Sequence, residues 1–285
     1  MRLVTFNSDG PHAGVLLGTE IVPVSTLGAP ADTVRGLLTA LDASELTELG
    51  ESAAQAGERV PLASVKLLAP VPDPEKIICM GLNYRDHAIE ANQEIPEHPR
   101  WFAKFANSLI GDGEAILLPA AHPDFVDYEG ELAVVIGRVC HQVSEADAIG
   151  YIAGAMPLND VSARDLQLQN PLWTSGKAVD TFAPCGPALV TLDEAGDLGN
   201  LAVRTRVDGE LVQEGSTTEM IFGVAETVAW LSRTITLVPG DIIATGTPAG
   251  VGGFKGVFLR DGQTVAVEVE GLGEISNPVR AASAA

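Results

Sequence analysis

The chain is short of cysteine, of positive charge and of long apolar runs, and each shortage removes a class of function. Cysteine occurs three times, at Cys79, Cys140 and Cys185, with no Cys-x-x-Cys pair. A disulfide framework and a thiolate zinc site are therefore excluded, and buried free thiols in a reducing compartment are expected. Lysine and arginine number 17 against 38 acidic residues, for a formal net charge of −21. Such a surface repels nucleic acid and anionic membranes, so neither is expected as a partner. Apolar stretches such as 132–136 are strand-sized, far short of the roughly 18 residues of a membrane span. The opening Met1-Arg2-Leu3-Val4-Thr5-Phe6 meets polar Asn7, Ser8 and Asp9 rather than a long apolar stretch. It reads as a strand and not as a signal peptide, which makes the expected location cytoplasmic.

Several catalytic signatures are missing too. There is no GxSxG elbow, no HExxH pair and no phosphate loop of the Walker kind. The glycines at 250, 252 and 253 fall short of a dinucleotide fingerprint, because Lys255 stands where its third glycine belongs.

What remains is a chain of 285 residues, 46% hydrophobic, enough for a sizeable core. Residues 1–68 read as short strands followed by helix, with helical spacing over 31–40 and 44–56. Pro70, Pro72 and Pro74 then break regular structure, so 69–75 is a linker and 76–285 a second, larger domain. In that larger part short strands dominate, at 76–80, 131–137, 151–158, 188–191, 201–207 and 264–270. Helical spacing appears over 83–94 and, most clearly, over 218–232. The pattern is that of an α+β, mostly β fold, not a regular βαβ array.

Three carboxylates stand out. In Asp127-Tyr128-Glu129-Gly130-Glu131, leading into an apolar strand, Glu129 and Glu131 are two apart and share a face. Two like charges so close repel, and a divalent cation resolves the conflict. A solvent-facing strand end is the plainer reading of the spacing alone. Asp160 closes a second apolar strand, where a helix N-cap is the plainer reading. Together the three would fill about half of an octahedral oxygen shell and leave the rest for water and substrate. Such ligands suit Mg²⁺, Mn²⁺ or Ca²⁺.

Five segments in order carry a resemblance. Gly81-Leu82-Asn83-Tyr84-Arg85-Asp86-His87-Ala88-Ile89-Glu90 resembles G-x-N-Y-x-x-H-x-x-E, and Asp127 to Leu132 resembles D-x-E-x-E-L. Asn159-Asp160-Val161-Ser162-Ala163-Arg164-Asp165-Leu166-Gln167 matches N-D-x-S-A-R-D-x-Q. Trp173, Lys177, Asp180, Phe182 and Pro184 through Pro187 follow W-x-x-x-K-x-x-D-x-F-x-P-x-G-P. Gly240-Asp241-Ile242-Ile243 with Thr245-Gly246-Thr247-Pro248 and Gly250-Val251-Gly252 follows G-D-x-I-x-T-G-T-P-x-G-V-G. These are segments of the fumarylacetoacetate hydrolase family, which the chain resembles from residue 76 to 252.

The resemblance implies a mixed β-roll catalytic domain preceded by a small N-terminal α+β domain, usually in a homodimer. It implies Glu129, Glu131 and Asp160 as ligands of Mg²⁺, Mn²⁺ or Ca²⁺. It gives His87 and Glu90 as a water-activating pair on a lid-like segment, Lys177 as a catalytic partner, and Arg164, Gln167 and Thr247 as substrate contacts. Lys104 falls where relatives carry F-x-K and is an anion contact or a strand-edge lysine. Ala178-Val179 departs from the family pattern after the lysine, where a hydroxyl is often found.

The implied chemistry is hydrolysis of a C–C bond in a small anionic 2,4-dioxo acid of the acylpyruvate type. His87, oriented by Glu90, takes a proton from water, the 4-carbonyl is attacked, and a cation-held pyruvate enolate leaves. Oxaloacetate decarboxylation and 2-hydroxydienoate isomerisation pass through related enolates and stand as alternatives. A catalytically silent cation-binding protein is the alternative outside enzymology.

Overall fold

The computed structural model describes residues 1–282. Among them, eleven strands form one mixed sheet. Its path runs Val60–Pro61, Glu20–Pro23, Pro11–Leu17, Arg2–Asn7, Leu189–Thr191, Ile152–Asn159, Gly130–Ile136, Ile242–Ala244, Ile77–Gly81 and Arg100–Lys104, with Lys66–Leu68 added beside Arg2–Asn7. A second sheet of five strands joins Glu210–Ser216, Ala202–Val207, Thr264–Val269, Gly273–Ala281 and Ile116–Leu118. The fold is α+β, mostly β, as its sequence pattern indicates.

The central strand Gly130–Ile136 is buried along its whole length. That fits a sheet covered on both faces, where a strand carries a continuous apolar run instead of an alternating one. The alternation survives in the destination of each side chain. Leu132, Val134 and Ile136 join Ile78, Met80 and Val228 in one core. Ala133 and Val135 join Leu3, Ile77, Cys79 and Ala244 in the core on the other face. Helix Val224–Ser232 covers the first face; Val34–Ala40 and Ala43–Gln55 cover the second. Ala43–Gln55 is held at its start by a reciprocal cap between Asp42 and Glu45.

The N-terminal segment shares this architecture. Arg2 and Leu3 pair with Val190 and Leu189 in the middle of the large sheet, and Leu37, Leu46 and Leu49 pack into the same core as Ile77 and Ala244. The three cysteines are buried and free.

Two helices start later than their periodicity, for one reason. Asn83 donates its side-chain amide to the carbonyls of Phe222 (3.0 Å) and Thr245 (2.7 Å), and its Oδ1 accepts from the Phe222 amide (2.9 Å). Its own carbonyl accepts from the Ile221 amide. These bonds hold both stretches out of helix. The first helix becomes Arg85–Glu90, and the second begins at Val224 after a 3₁₀ turn at Thr217–Glu219. The result is to pin the His87 helix to the sheet end where Thr245-Gly246-Thr247 emerges.

Candidate active site

The strand ladder assembles the acidic centre. Gly130 is paired with Asn159, so Glu129 and Asp160 meet where the two strands end. The Asp160 amide donates to the Glu129 carbonyl (2.8 Å), and the Glu129 amide to Asn159 Oδ1 (3.0 Å). Glycine is required between the glutamates: a Cβ at Gly130 would collide with Thr205 Oγ1. One oxygen from each of Glu129, Glu131 and Asp160 lies within 4.8 Å of the others, and all three residues are buried.

Cations surround two of these carboxylates and not the third. Lys177 Nζ donates to Glu129 Oε2 and Asp160 Oδ2, both at 2.8 Å. Lys104 Nζ donates to Asp160 Oδ1 (2.6 Å) and to the Val161 carbonyl (3.1 Å). Arg164 Nη1 reaches Glu129 Oε1 at 2.6 Å and Gln167 Oε1 at 2.9 Å. Glu131 has one backbone partner, the Gly246 amide at 2.8 Å, and its Oε1 is buried without any.

The ionisation of the group follows from those partners. Burial raises the Glu131 carboxyl well above its ordinary range, and Asp160 and Glu129 push it further. Burial opposes charge on Glu129 as well, but Lys177 and Arg164 prevail and hold it well below. Burial likewise works against the Lys177 ammonium, yet Asp160 and Glu129 keep it protonated more firmly than usual.

A hard divalent cation fits this donor set. It would supply the partner that Glu131 Oε1 lacks and relieve the repulsion among three carboxylates. All the donors are oxygens, as Mg²⁺, Mn²⁺ and Ca²⁺ prefer.

Above the centre lies a cavity of about 420 Å³. Glu129, Lys177, Arg164, Gln167, Thr247 and His87 all line it. His87 Nδ1 lies 3.3 Å from Glu90 Oε2, and both Glu90 oxygens accept from the Gly250 amide at 3.0–3.1 Å. Thr247 Oγ1 donates to the Gly130 carbonyl at 2.8 Å. Lys104 is placed differently: it is 2% exposed, lies behind Asp160 and is absent from the cavity wall, so its contact is with a carboxylate of the protein. Much of the remaining wall is aromatic, from Phe102, Phe125, Trp173, Phe254 and Phe258. Gly81 makes room for that wall, since a Cβ there would run into the Trp173 ring.

One supporting residue had no signal in the sequence. Gln213, 2% exposed, accepts from the Gly130 amide (3.0 Å) and Thr205 (2.8 Å), and donates to Thr247 Oγ1 (2.8 Å) and the Pro248 carbonyl (2.9 Å). It sits on Glu210–Ser216, where the neighbouring residues are half-buried or exposed and no alternation marks a strand.

Fold and site together define a class: a mixed β protein whose buried carboxylate centre, suited to a divalent cation, meets a cavity sized for a small molecule at Glu129. The family model for the fumarylacetoacetate (FAA) hydrolase C-terminal domain matches residues 76–280, and the chain belongs to that family. Over its length it is similar to the oxaloacetate tautomerase fahd2, mitochondrial, of Xenopus laevis, at 44% identity covering 98% of this chain and 90% of the relative. Among solved structures it is similar to 2-hydroxyhepta-2,4-diene-1,7-dioate isomerase from Mycobacterium marinum, with 36% identity, TM-score 0.79 and full coverage of both chains. It is also similar to maleylpyruvate hydrolase from Sphingobium sp. SYK-6 in complex with manganese(II) ion and pyruvate, with 32% identity and TM-score 0.84, covering 99% of this chain and 100% of that one. Among the described residues no helix is long and apolar enough to cross a membrane.

Proposed function

We propose that the protein is a divalent-cation-dependent enzyme that interconverts the keto and enol forms of a small 2-oxo acid, with oxaloacetate as the substrate to test first. The observation that carries this reading is the His87–Glu90 pair on the wall of the cavity that Glu129, Lys177 and Arg164 also line. Tautomerisation needs a group that exchanges protons beside a site that steadies an enolate, and nothing more. The relative at 44% identity across nearly the whole chain is named for this reaction.

The parts divide the work as follows. Glu129, Glu131 and Asp160 would hold Mg²⁺ or Mn²⁺, with Ca²⁺ a weaker fit; when bound, the ion supplies Lewis acidity toward the 2-oxo group and its carboxylate. Pairing of His87 Nδ1 with Glu90 leaves Nε2 as the nitrogen that trades a proton with substrate. In the enol-to-keto direction the 2-hydroxyl loses a proton and C3 gains one, so His87 serves as carrier. Lys177 and Arg164 keep positive charge beside the developing oxyanion.

A second reading is hydrolysis of the C3–C4 bond of an acylpyruvate. The same pair can activate water, and the cavity of about 420 Å³ with its aromatic wall has room for an acyl group beyond a four-carbon acid. The relative that carries manganese and pyruvate is named a hydrolase.

The test is to add enol-oxaloacetate to the protein and follow loss of the enol absorbance with Mg²⁺, with Mn²⁺ and with EDTA. Acetylpyruvate and fumarylpyruvate are run in parallel and their products identified by mass. Cation-dependent acceleration of enol loss, reduced about 10²–10⁴-fold in His87→Ala, is the expected result. Pyruvate and a free acid from the acylpyruvates, with no acceleration of enol loss, would replace this reading by the second.

A further inference from the structure

Asp127 opens the segment that carries Glu129 and Glu131, yet neither cation binding nor proton transfer uses it. We propose that Asp127 is a positioning residue, a buried carboxylate that sets the His87–Glu90 pair and Arg164 in register with the acidic centre. The inference rests on His87 and Glu90 being the proton-moving pair.

The carboxylate is wholly buried and has partners on two sides. On one side it holds Arg164: Oδ2 accepts from Nε at 2.8 Å, with Nη2 at 2.7 Å. The Nε hydrogen bond and the Nη2 ion contact, both to Oδ2, hold the guanidinium beside Asp127. Nη1 is thereby aimed at Glu129 and Gln167. On the other side Oδ1 accepts from the Gly252 amide and Oδ2 from the Gly253 amide, both at 2.8 Å.

Those amides belong to the stretch on which the His87 helix rests. The Gly250 amide binds Glu90, the Ala249 amide binds Asp86 at 3.2 Å, and the Phe254 ring meets the His87 ring edge-on with centroids 5.9 Å apart. Asp127 thus grips residues 252–253 from below, while residues 249–254 grip the helix from above. Gly252 is needed for so close an approach, and a side chain at Gly253 would crowd it. A Cβ at Gly252 would run into the Val257 carbonyl and lie 2.7 Å from Asp127 Oδ1. At Gly253 it would lie 3.2 Å from Asp127 Oδ2 and 3.3 Å from Arg164 Nε. The Asp127 carboxylate and the Gly252-Gly253 pair in this chain are therefore parts of one device. An asparagine of the same shape cannot replace the carboxylate: whichever way its amide is turned, its nitrogen faces donors it cannot accept from, Arg164 and Gly253 on one side or the Gly252 and Tyr128 amides on the other.

The experiment compares Asp127→Asn, His87→Ala and the double variant by steady-state kinetics. Mn²⁺ affinity is read by paramagnetic resonance, and amide exchange over residues 249–254 by mass spectrometry. Expected is a fall in kcat of about 10–100-fold for Asp127→Asn, the usual scale for an outer partner of a working group. Mn²⁺ affinity should change far less than kcat, exchange over 249–254 should quicken, and the double variant should be no slower than His87→Ala. Wild-type kcat in Asp127→Asn, or a full multiplicative loss in the double variant, would overturn the proposal. Should Asp127→Asn not fold, Gly253→Ala crowds the same contact with the carboxylate left in place. A smaller fall in kcat supports positioning, and an unchanged kcat overturns it. Full activity in His87→Ala would instead overturn the proton-transfer reading, so the two failures are told apart.

Discussion

The protein carries ion pairs in two very different settings. At the acidic centre, Asp127, Glu129 and Asp160 meet Arg164, Lys177 and Lys104 with side chains no more than 14% exposed. In the N-terminal segment and the linker after it, His12–Asp32, Arg59–Glu20 and Arg35–Glu75 lie at the surface, with side chains 29–51% exposed. Burying an ion pair seldom gains stability, because the cost of desolvating two charges consumes most of their attraction. A fold seeking stability alone would favour apolar residues at those sites. Six charged groups gathered at one sheet end therefore mark a place where charge is kept for binding and reaction. The surface pairs, free of that cost, are worth little in either direction.

The sharpest way to break the comparison is to remove a carboxylate from the centre. Glu131→Ala or Asp160→Ala should lower Mn²⁺ affinity by more than the ~100-fold that loss of an outer partner costs, as read by calorimetric titration. The two variants should differ in the cation-free protein. Glu131 has no cationic partner and burial raises its carboxyl pKa, so its removal strands no opposite charge. Asp160 is the only carboxylate partner of Lys104 and one of two for Lys177, so its removal leaves the buried Lys104 ammonium uncompensated. A cation-free Asp160→Ala that unfolds no more readily than Glu131→Ala would show that the lysines do not depend on it.

Next in size is Lys104→Met. Its ammonium is one of two holding Asp160, so its loss should destabilise the cation-free protein by about 3–5 kcal/mol in urea unfolding. Saturating Mn²⁺ should return part of that loss, because the ion binds only the folded centre. A loss below about 1 kcal/mol would place Lys104 with the surface pairs.

The same contrast explains how much could be read from the chain. Glu129 and Glu131 were legible as two carboxylates on one strand face and Asp160 as the end of the next strand, but a solvent-facing strand end and an N-cap were the plainer readings of that spacing, and the ordered family segments were what pointed to all three as ligands. His87 and Glu90 stand three residues apart, which is contact distance on any helix, so the ordered family segments and not the spacing singled them out. Lys104 announced itself only as a lysine in a strand, and whether it meets solvent, substrate or Asp160 depends on a strand 56 residues away. Gln213 is similar, since it bonds to Gly130 and Thr247 from a strand of the other sheet. The short helices Arg85–Glu90 and Val224–Ser232 obey side-chain bonds from Asn83 that periodicity cannot register. The N-terminal strands have ordinary local patterns, and no local pattern says which sheet a strand will join.

The smallest effect belongs to a surface pair, where the sign with pH is the test. His12 Nδ1 lies 2.7 Å from Asp32 Oδ2, and that bond raises the histidine pKa above its ordinary 6.5. A histidine bound more tightly to its proton in the folded state stabilises the fold fully below the ordinary value. The contribution fades as pH rises through the raised one. His12→Gln should therefore melt lower than wild type in mildly acid buffer and at the same temperature in alkaline buffer. At 37% exposure the difference should stay under about 1 kcal/mol even at its largest. A loss that persists unchanged in alkaline buffer would mean that His12 contributes by packing against the Phe6 ring, 5.9 Å away, and not by charge.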